Sequence, residues 1–398
     1  MVVNNLYPTH SNTDVKSIGR IAYVVNSAAF FVSHRLPLAE AARDLGYEVT
    51  IILGKAISLE METDAVNRLT ELNFNYKICN YSGSSLNPLT ELIGFIQLCV
   101  ALLSFKPNLI HCVSPKGILY GGLASHLVKP DKVFFAISGL GYLFSVSGKI
   151  SSGRKAVQII YKNLLSLALR HKNKTIIVQN NDDASFVSKD LNFDSKDIFL
   201  ISGSGVNLDL YPLENLKNKE NIVLFASRLL AEKGVREFAE AAQILKKKCP
   251  QWRFVIAGAS DYLTPSGVTD AEIKTWTDQG YIEYLGYVKD MTEYFSKATI
   301  CCLPSYYREG LPKTLIEAAA SCCAVVTTDS VGCRDAVVVG ETGELVTPRS
   351  VDSLVNVLFG MLSNPDMVHM YGINGRRLAE KKWSLRRISQ IHMALYQS

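Results

Sequence analysis

The stretch "RIAYVVNSAAFFVSHRLPLAEAARDLGYEVTIIL", residues 20–53, carries the pattern from which the fold class can be predicted. It opens with a short apolar run of β-branched and aromatic residues, which is typical of a buried strand. A helical pattern follows and ends at Gly46, and a second apolar run comes directly after it. Strand, helix and strand joined by short links predict a parallel βαβ unit, because parallel neighbours need a crossover connection.

The same alternation continues through both halves of the chain. We predict an α/β protein made of two Rossmann-like, doubly wound domains. Open α/β sheets bind ligands beyond the carboxyl ends of their strands, so the two domains should face an inter-domain cleft. The further predicted strands are residues 108–113, 132–138, 174–180, 221–228, 253–258, 282–288, 298–304 and 323–329.

The domain boundary is expected where the composition turns polar, after the run "GSGVNLDLYP". A chain of 398 residues exceeds the usual span of one core. We assign residues 20–208 to the first domain and residues 209–380 to the second. The first residues lack a charged head followed by an apolar stretch, so they do not form a signal peptide, and we expect residues 1–19 to be flexible.

Bulk composition indicates a compact protein of a reducing compartment. The formal net charge of +5 is modest, so a nucleic-acid partner is not indicated. The nine cysteines include no C-x-x-C pair, which favours buried thiols in the cytoplasm over disulfides or zinc. The longest apolar stretch, Leu92 to Phe105, is short and contains Gln97, so we predict a core helix rather than a membrane span.

A basic segment between Lys149 and Lys174 carries cations around an apolar stripe. Such a segment resembles an amphipathic helix that lies on an anionic membrane, which would make the protein peripheral on the inner face of the cytoplasmic membrane. An ordinary solvated helix face is the alternative. The cations are Lys149, Arg154, Lys155, Lys162, Arg170, Lys172 and Lys174, and the apolar residues are Ile159, Ile160, Leu164, Leu165 and Leu167.

The run "SYYREGLPKTLIEAAA", residues 305–320, predicts a helix start that faces the cleft. Pro312 suits the first helical position, where its missing N–H costs nothing. Gly310 loosens the loop before it, and the free N–H groups of that helix end, near Leu311, Lys313 and Thr314, suit a diphosphate.

Two carboxylates flank this proline. Glu309 precedes the helix and Glu317 lies inside it, so both could accept hydrogen bonds from hydroxyls at opposite ends of a long ligand. A nucleotide sugar has that shape, with sugar and ribose hydroxyls on either side of its diphosphate. The alternatives are a solvated loop residue for Glu309 and an ion pair with Arg334 for Glu317.

Two cations are expected at the carboxyl edge of a strand in the second domain. In "ASRLLAEKGV", Arg228 ends the strand and Lys233 follows a short turn. Together they can clamp a diphosphate and stabilise the charge that grows on it when a glycosidic bond breaks. An exposed pair that caps a helix is the alternative. No D-x-D occurs in the chain, so we predict no bound metal and no other cofactor.

These motifs carry a resemblance to a known family. The second half resembles the donor domain of the retaining family 4 glycosyltransferases of GT-B fold, through "SRLLAEKG", "EYLGYVKD", "CLPSYYREGLPKTLIEAAA" and "GETGELV". The resemblance implies that Glu309 binds the donor sugar and Glu317 the ribose. It further implies that Arg228 and Lys233 bind the diphosphate and that the backbone near Val288 binds the base. The last helix, within residues 381–398, should cross back to the first domain.

The first half narrows the resemblance. It is similar to a bacterial branch of α-1,3-N-acetylgalactosaminyltransferases that act on undecaprenyl-diphosphate-linked saccharides, through "SHRLPLAEAARDLGYEV", "IHCVSPKGILYGG", "ISGLGYLF", "IVQNNDDASFV" and "ISGSGVNLDLYP". The resemblance implies a UDP-sugar donor, an acceptor-binding first domain and a role in surface glycan synthesis. Retention of configuration, with a diphosphate oxygen taking the acceptor proton, is implied in the same way.

The acceptor side departs from the family pattern. His111 occupies the first position of the usual His-x-His and Val113 the second, so His111 is either a catalytic residue or a core histidine. We expect Asn26, Arg35 and Lys116 to contact the acceptor. For Lys116 the alternatives are a contact with the donor and a solvated loop lysine. Competing functions are a nucleotide-sugar epimerase, a phosphorylase and a non-catalytic nucleotide-sugar sensor.

Overall fold

The structure is a computed structural model that describes residues 17–55, 59–82, 87–139, 152–260, 264 and 266–398. The first domain is built on a seven-stranded parallel sheet of order β3-β2-β1-β4-β5-β6-β7. The strand order reverses next to β1, which is the switch point of a doubly wound sheet. The strands are β1 (Gly19–Val25), β2 (Tyr47–Leu53), β3 (Asn75–Ile78), β4 (Leu109–Val113), β5 (Lys132–Ile137), β6 (Lys174–Val178) and β7 (Ile198–Leu200).

Helices cover both faces of this sheet. One face packs against the first three helices and the other against the next three, so the domain has two apolar layers. The helices are α1 (Ala28–His34), α2 (Leu36–Asp44), α3 (Leu59–Glu71), α4 (Pro88–Phe105), α5 (Pro115–Val128), α6 (Ser152–Ala168) and α7 (Asn181–Ser185), which continues as a π-helical turn (Phe186–Asp190).

The second domain repeats the plan with a six-stranded parallel sheet of order β10-β9-β8-β11-β12-β13. Its strands are β8 (Glu220–Ala226), β9 (Arg253–Ala257), β10 (Glu283–Tyr284), β11 (Ala298–Leu303), β12 (Ala324–Thr328) and β13 (Gly343–Val346). Its helices are α8 (Val235–Lys248), α9 (Asp270–Asp278), α10 (Thr292–Lys297), α11 (Lys313–Ala320), α12 (Val351–Leu362) and α13 (Pro365–Lys382). The prediction of two Rossmann-like domains is confirmed.

The last helix, α14 (Leu385–Gln397), lies against the first domain. Its buried residues Ile388, Met393 and Tyr396 belong to the core on the α1–α3 face of the first sheet. The chain crosses between the domains beside Val206, whose N–H donates to the carbonyl of Trp383 at 2.9 Å. The predicted boundaries at residues 208/209 and 380/381 lie close to this crossing and stay predictions, and residues 1–16 lie outside the described residues.

Several elements differ from the sequence prediction. The single helix expected before Gly46 is two helices, because the backbone leaves helical geometry at Arg35, ahead of Pro37 near the start of α2. The strand expected at residues 282–288 is only two residues long. The edge strands β3, β7 and β13 were not predicted.

The prediction that the apolar stretch from Leu92 to Phe105 forms a core helix holds for one side of the helix only, where Leu98, Ala101 and Leu102 belong to the core of the first domain. The stretch belongs to α4, which is exposed along one side and has 28 % of its residues buried. Among the described residues, α4 is also the one helix that is long and apolar enough, by length and composition, to cross a membrane. All nine cysteines, by contrast, are buried and unpaired, as predicted.

Candidate active site

A cavity of about 850 Å³ lies between the two domains. Its walls include residues directly after β5, β6 and β8, so it opens at the carboxyl edges of both sheets. This is the edge at which open α/β sheets bind ligands, and the volume is large enough for a nucleotide-sized molecule. From the second domain the cavity is lined by the predicted site residues Arg228, Lys233, Val288, Glu309, Gly310, Leu311, Thr314 and Glu317.

The carboxylate of Glu309 lies in the loop between β11 and α11. It forms an ion pair with Lys233, and the hydroxyl of Ser305 donates to it at 3.3 Å. Both charged side chains are largely buried, so the alternative of a solvated loop glutamate is wrong. Lys233 ends a short 3-10 helix after β8, and its Nζ also lies 5.2 Å from the ring centroid of Tyr307. The pair places a cation and a hydrogen-bond-accepting carboxylate side by side at the cavity wall.

The helix start after this loop is shifted by one residue from the prediction. Pro312 is the N-cap with extended backbone, and α11 begins at Lys313. The N–H of Leu311 donates to Oε1 of Gln179 in the first domain at 2.9 Å. The hydroxyl of Thr314 donates to the carbonyl of Ala226 at the end of β8 at 3.0 Å. In this arrangement the Leu311 amide already has a partner across the cleft.

Glu317 lies one turn further along α11. Burial raises the pKa of Glu317, while the charge of Lys313, whose Nζ lies 3.4 Å away, opposes that rise. The predicted alternative partner, Arg334, pairs instead with Asp329 at 2.7 Å. Glu317 is therefore a partly buried carboxylate on the cavity wall, separated from Glu309 by the helix end.

The first domain holds the Glu309 loop by its backbone. Nδ2 of Asn180, directly after β6, donates to the carbonyl of Glu309 at 3.2 Å and to that of Gly310 at 2.9 Å. Three residues further on, the buried carboxylate of Asp183 accepts from Arg308 at 3.1 Å. With the Gln179 bond, these contacts form an inter-domain clamp, defined here as Gln179, Asn180, Asp183 and Arg308.

Sequence reasoning missed this clamp. A signal was present, because "QNNDD" stands directly after a predicted strand at the edge where ligands bind. Its backbone packing is tight as well: a Cβ on Gly310 would come within 2.2 Å of Oε1 of Gln179, and one on Gly139 within 2.6 Å of the Gly310 nitrogen. The loop therefore needs glycine at 310, where the first domain touches it.

His111 lies away from the cavity. The ring is fully buried under α14, with Nδ1 2.6 Å from the hydroxyl of Tyr396 and the Tyr23 ring stacked 5.2 Å away. Burial holds the pKa of His111 well below its ordinary value. His111 is not among the described residues that line the cavity, so the geometry supports the core-histidine alternative rather than a catalytic role.

The three predicted acceptor contacts also lie outside the cavity lining. Arg35 is 3 % exposed and donates to the carbonyl of His34 at 2.9 Å. Asn26 links β1 to α5, because its Oδ1 accepts from the N–H of Gly117 at 2.9 Å. Lys116 pairs with Glu91 at 3.0 Å beneath α4. These residues organise the first domain, and the prediction that they line the acceptor site is not supported by their placement.

The first-domain wall of the cavity is formed by other residues. α1 contributes Phe30 and His34, whose rings stack 4.3 Å apart, and α3 contributes Asp64 and Arg68. Burial and the nearby charges of Lys313 and Arg35 lower the pKa of His34 to about 3. The amphipathic pattern of α1 gave no sign that its last turn would face the second domain.

Comparison with known proteins matches both halves of the chain to glycosyltransferases. The family described as "Glycosyl transferase 4-like" matches residues 20–180, and "Glycosyl transferases group 1" matches residues 212–378. The chain is 29 % identical over 333 residues to a Campylobacter jejuni N,N'-diacetylbacillosaminyl-diphospho-undecaprenol alpha-1,3-N-acetylgalactosaminyltransferase, covering 80 % of this chain and 82 % of that one. It is 20 % identical to a Staphylococcus aureus capsular polysaccharide biosynthesis glycosyltransferase, covering 74 % and 78 %.

Solved structures share the two-domain architecture. Sucrose-phosphate synthase from Thermosynechococcus elongatus superposes with a TM-score of 0.75 at 19 % identity, covering 95 % of this chain and 98 % of that chain. Anabaena HepE in complex with UDP and glucose superposes with a TM-score of 0.72 at 16 % identity, covering 96 % and 100 %. With both family matches, the two parallel sheets and the cleft between them, the chain belongs to the glycosyltransferases of GT-B fold.

Proposed function

We propose that this glycosyltransferase moves a hexose or N-acetylhexosamine from a UDP-sugar to an undecaprenyl-diphosphate-linked saccharide. The observation that carries the proposal is the pairing of Lys233 with Glu309 on the wall of the cavity that Arg228 and Glu317 also line. In this reaction Arg228 and Lys233 bind the diphosphate of the donor. The carboxylates of Glu309 and Glu317 accept hydrogen bonds from the sugar and ribose hydroxyls, respectively.

Relatives support the choice of substrates. The Campylobacter jejuni relative is named for transfer of N-acetylgalactosamine to a diphospho-undecaprenol saccharide, and HepE is described in complex with UDP and glucose. N-acetylgalactosamine and N-acetylglucosamine are therefore the first donor sugars to test. Surface glycan, capsule or O-antigen synthesis is the corresponding process.

We infer transfer with retention of configuration and without a metal. The acceptor hydroxyl attacks the anomeric carbon from the face that the nucleotide leaves, the bond to the diphosphate breaks, and a diphosphate oxygen takes the hydroxyl proton. Arg228 and Lys233 take the place of a metal in balancing the charge on the leaving diphosphate. Closure of the two domains over the cavity would exclude water and favour transfer over hydrolysis.

We further propose a cytoplasmic protein that is peripheral on the inner face of the cytoplasmic membrane. Most of the predicted basic segment is helical in α6, which has Lys155 and the apolar Ile160, Leu164 and Leu167 exposed. Lys149 and the side chain of Arg154 lie outside the described residues.

The test is a donor screen by mass spectrometry. UDP-N-acetylgalactosamine, UDP-N-acetylglucosamine, UDP-galactose, UDP-glucose and GDP-mannose are offered with lipid-linked acceptors, with and without EDTA, beside Glu309→Ala. We expect an acceptor-dependent mass gain with one UDP-sugar, insensitive to EDTA and lost in the variant. NMR of the product should give the donor's anomeric configuration, and an inverted product would overturn the retaining mechanism.

Other outcomes point to the competing functions. Donor conversion without acceptor would identify an epimerase. Donor binding without any product would identify a sensor. Either result would overturn the proposed transfer reaction.

A further inference from the structure

The outer face of α4 is an apolar stripe that no part of the described chain covers. Its side chains recur at spacings of three and four residues, so they share one side of the helix along its whole length. Each is between 43 % and 67 % exposed: Leu89, Leu92, Ile93, Ile96, Val100 and Leu103. An exposed apolar patch of this extent marks an interaction surface.

The opposite side of α4 is packed and polar groups are turned inward. Gly94 lies so close to the loop before the helix that a Cβ would come within 2.5 Å of the Tyr81 nitrogen. The one acid of the helix, Glu91, accepts from Tyr120 at 2.6 Å and pairs with Lys116 at 3.0 Å. The outer face is therefore free of charge, while the inner face fastens α4 to the domain.

A second apolar stripe lies in the same helical layer. α5 packs between α4 and α6, and its middle is buried. α6 exposes Val157, Ile160, Leu164 and Leu167, again at spacings of three and four residues. The two stripes flank α5 on one face of the first sheet, and we call them together the α4/α6 platform.

The charge of this part of the chain indicates what kind of partner binds the α4/α6 platform. Between Glu91 and Asp182 the sequence contains eleven lysines and arginines and a single acid, Asp131. The exposed cations on or near the platform are Lys106, Lys129, Lys155, Arg170 and Lys172. An apolar stripe with a cationic rim matches an anionic bilayer, because acyl chains cover the stripe and lipid headgroups neutralise the rim.

A second copy of the chain fits less well. Two platforms face to face would bring two cationic rims together, and like charges in such an interface are unfavourable. Nucleic acid would neutralise the cations but leave the stripe exposed.

We propose that the α4/α6 platform seats the protein on an anionic membrane, with α4 lying in the plane of the interface as its apolar anchor. The helices of this layer begin at the carboxyl edge of the first sheet, where the cavity opens. A saccharide linked to a membrane lipid would then be presented at the cleft. The proposed membrane contact depends on the proposed function only for this presentation of the saccharide.

The test compares two glutamate variants of the full chain. Ile96→Glu places a charge in the stripe, and Met370→Glu is the matched control on α13 of the second domain, since the two side chains are 53 % and 50 % exposed. Binding is measured by co-sedimentation with phosphatidylcholine vesicles containing about one-third phosphatidylglycerol. We expect Ile96→Glu to lower the partition constant roughly tenfold or more, with Met370→Glu and the thermal unfolding of both variants close to wild type.

A direct probe complements this comparison. In Ile96→Trp, the added indole should shift its emission to the blue when the same vesicles are added, and it should not shift with pure phosphatidylcholine. Unchanged vesicle binding of Ile96→Glu, or an indole emission that does not shift in Ile96→Trp, would overturn the proposed membrane contact. A wild-type dimer in lipid-free buffer that Ile96→Glu converts to monomer would assign the stripe to a second copy instead.

The proposed membrane contact and the proposed transfer reaction can be refuted independently of each other. With a short-chain, water-soluble acceptor, Ile96→Glu should retain the wild-type kcat/KM, whereas with a long-chain acceptor in vesicles it should lose activity. If the wild-type protein binds vesicles but transfers no sugar, the proposed function is refuted and the proposed membrane contact stands.

Discussion

Lys233 and Glu309 form an ion pair on the wall of the cleft although 76 positions separate them in the chain. The neighbouring strands β8 and β11 bring them together, since each residue follows the carboxyl end of one of these strands. Their side chains are 12 % and 13 % exposed. We expect an incoming diphosphate to compete for Lys233 and so release the Glu309 carboxylate for a sugar hydroxyl.

The pair gives a prediction in which activity and stability separate. Glu309→Gln or Lys233→Met alone should lower kcat/KM by about 100-fold or more, because in the proposed reaction each removes a group that contacts the donor. Each should also lower the free energy of unfolding by about 2 kcal/mol, since the remaining charge is largely buried and unpaired. Urea unfolding and initial-rate kinetics measure the two effects.

The double variant is the control for this pair. Lys233→Met with Glu309→Gln should recover most of the lost stability but none of the activity, because no unpaired charge remains while both donor contacts are gone. Full additivity of the two stability losses would contradict the coupling.

Gly310 is expected to be essential for domain contact. In Gly310→Ala the new methyl group would meet Gln179 at 2.2 Å and the Ser138 backbone at 2.7 Å, so the Glu309 loop and the first domain must separate. We predict at least a tenfold loss of kcat/KM and a larger radius of gyration by solution scattering. Gly360→Ala is the control, since a methyl group at that position would meet no atom within 4 Å in the described part of the chain, and it should leave both quantities unchanged.

Much of the fold could be predicted because the central strands are buried on both sides. β1, β4, β8 and β11 read as continuous apolar runs, as parallel strands between two helical layers should. The edge strand β3 carries mostly exposed side chains and has no such run, so periodicity could not find it.

The candidate site likewise contains one part that the local sequence predicts and one part that it does not. Glu309, Gly310 and Glu317 lie on one local strand–loop–helix unit, so their spacing alone places them together. The wall contributed by the first domain depends on how the two domains dock, which no local pattern encodes. His111 shows the consequence: α14, from the far end of the chain, covers it and removes it from the cleft.

The clamp predicts a positioning role for Asn180. Asn180→Ala removes the bonds to the carbonyls of Glu309 and Gly310 and also the cap that the Asn180 side chain gives to α7. We expect kcat to fall about tenfold or more while UDP affinity by calorimetry changes little, because only the Glu309 loop is misplaced and the rest of the second domain keeps its structure.

Asn364→Ala is the matched control for the clamp. Asn364 also caps a helix, accepting from the N–H of Met367 at 3.2 Å, but it lies in the second domain at the start of α13. Both variants should lose about 1 kcal/mol of stability from the lost cap. Equal kinetic losses in both variants would show that Asn180 acts only as a cap.

Two buried histidines, His392 on α14 and His111 beneath it, predict acid sensitivity of the first domain. Burial lowers the pKa of His392 to about 4 and holds the pKa of His111 well below its ordinary value, with the charge of Arg35 adding to both effects. Each ring binds a proton more readily in the unfolded chain, so stability falls as the pH drops below about 6.5 and continues to fall toward the folded-state pKa. At pH 5 the loss should be about 2 kcal/mol for His392, and the lowered pKa of His111 should add to it in the same direction. Urea unfolding at pH 7 and pH 5 measures it, and His392→Leu should reduce the difference by about that amount, while the exposed control His369→Gln should leave it unchanged. An unaltered pH dependence in His392→Leu would mean that this ring is as readily protonated in the folded protein as in the unfolded chain.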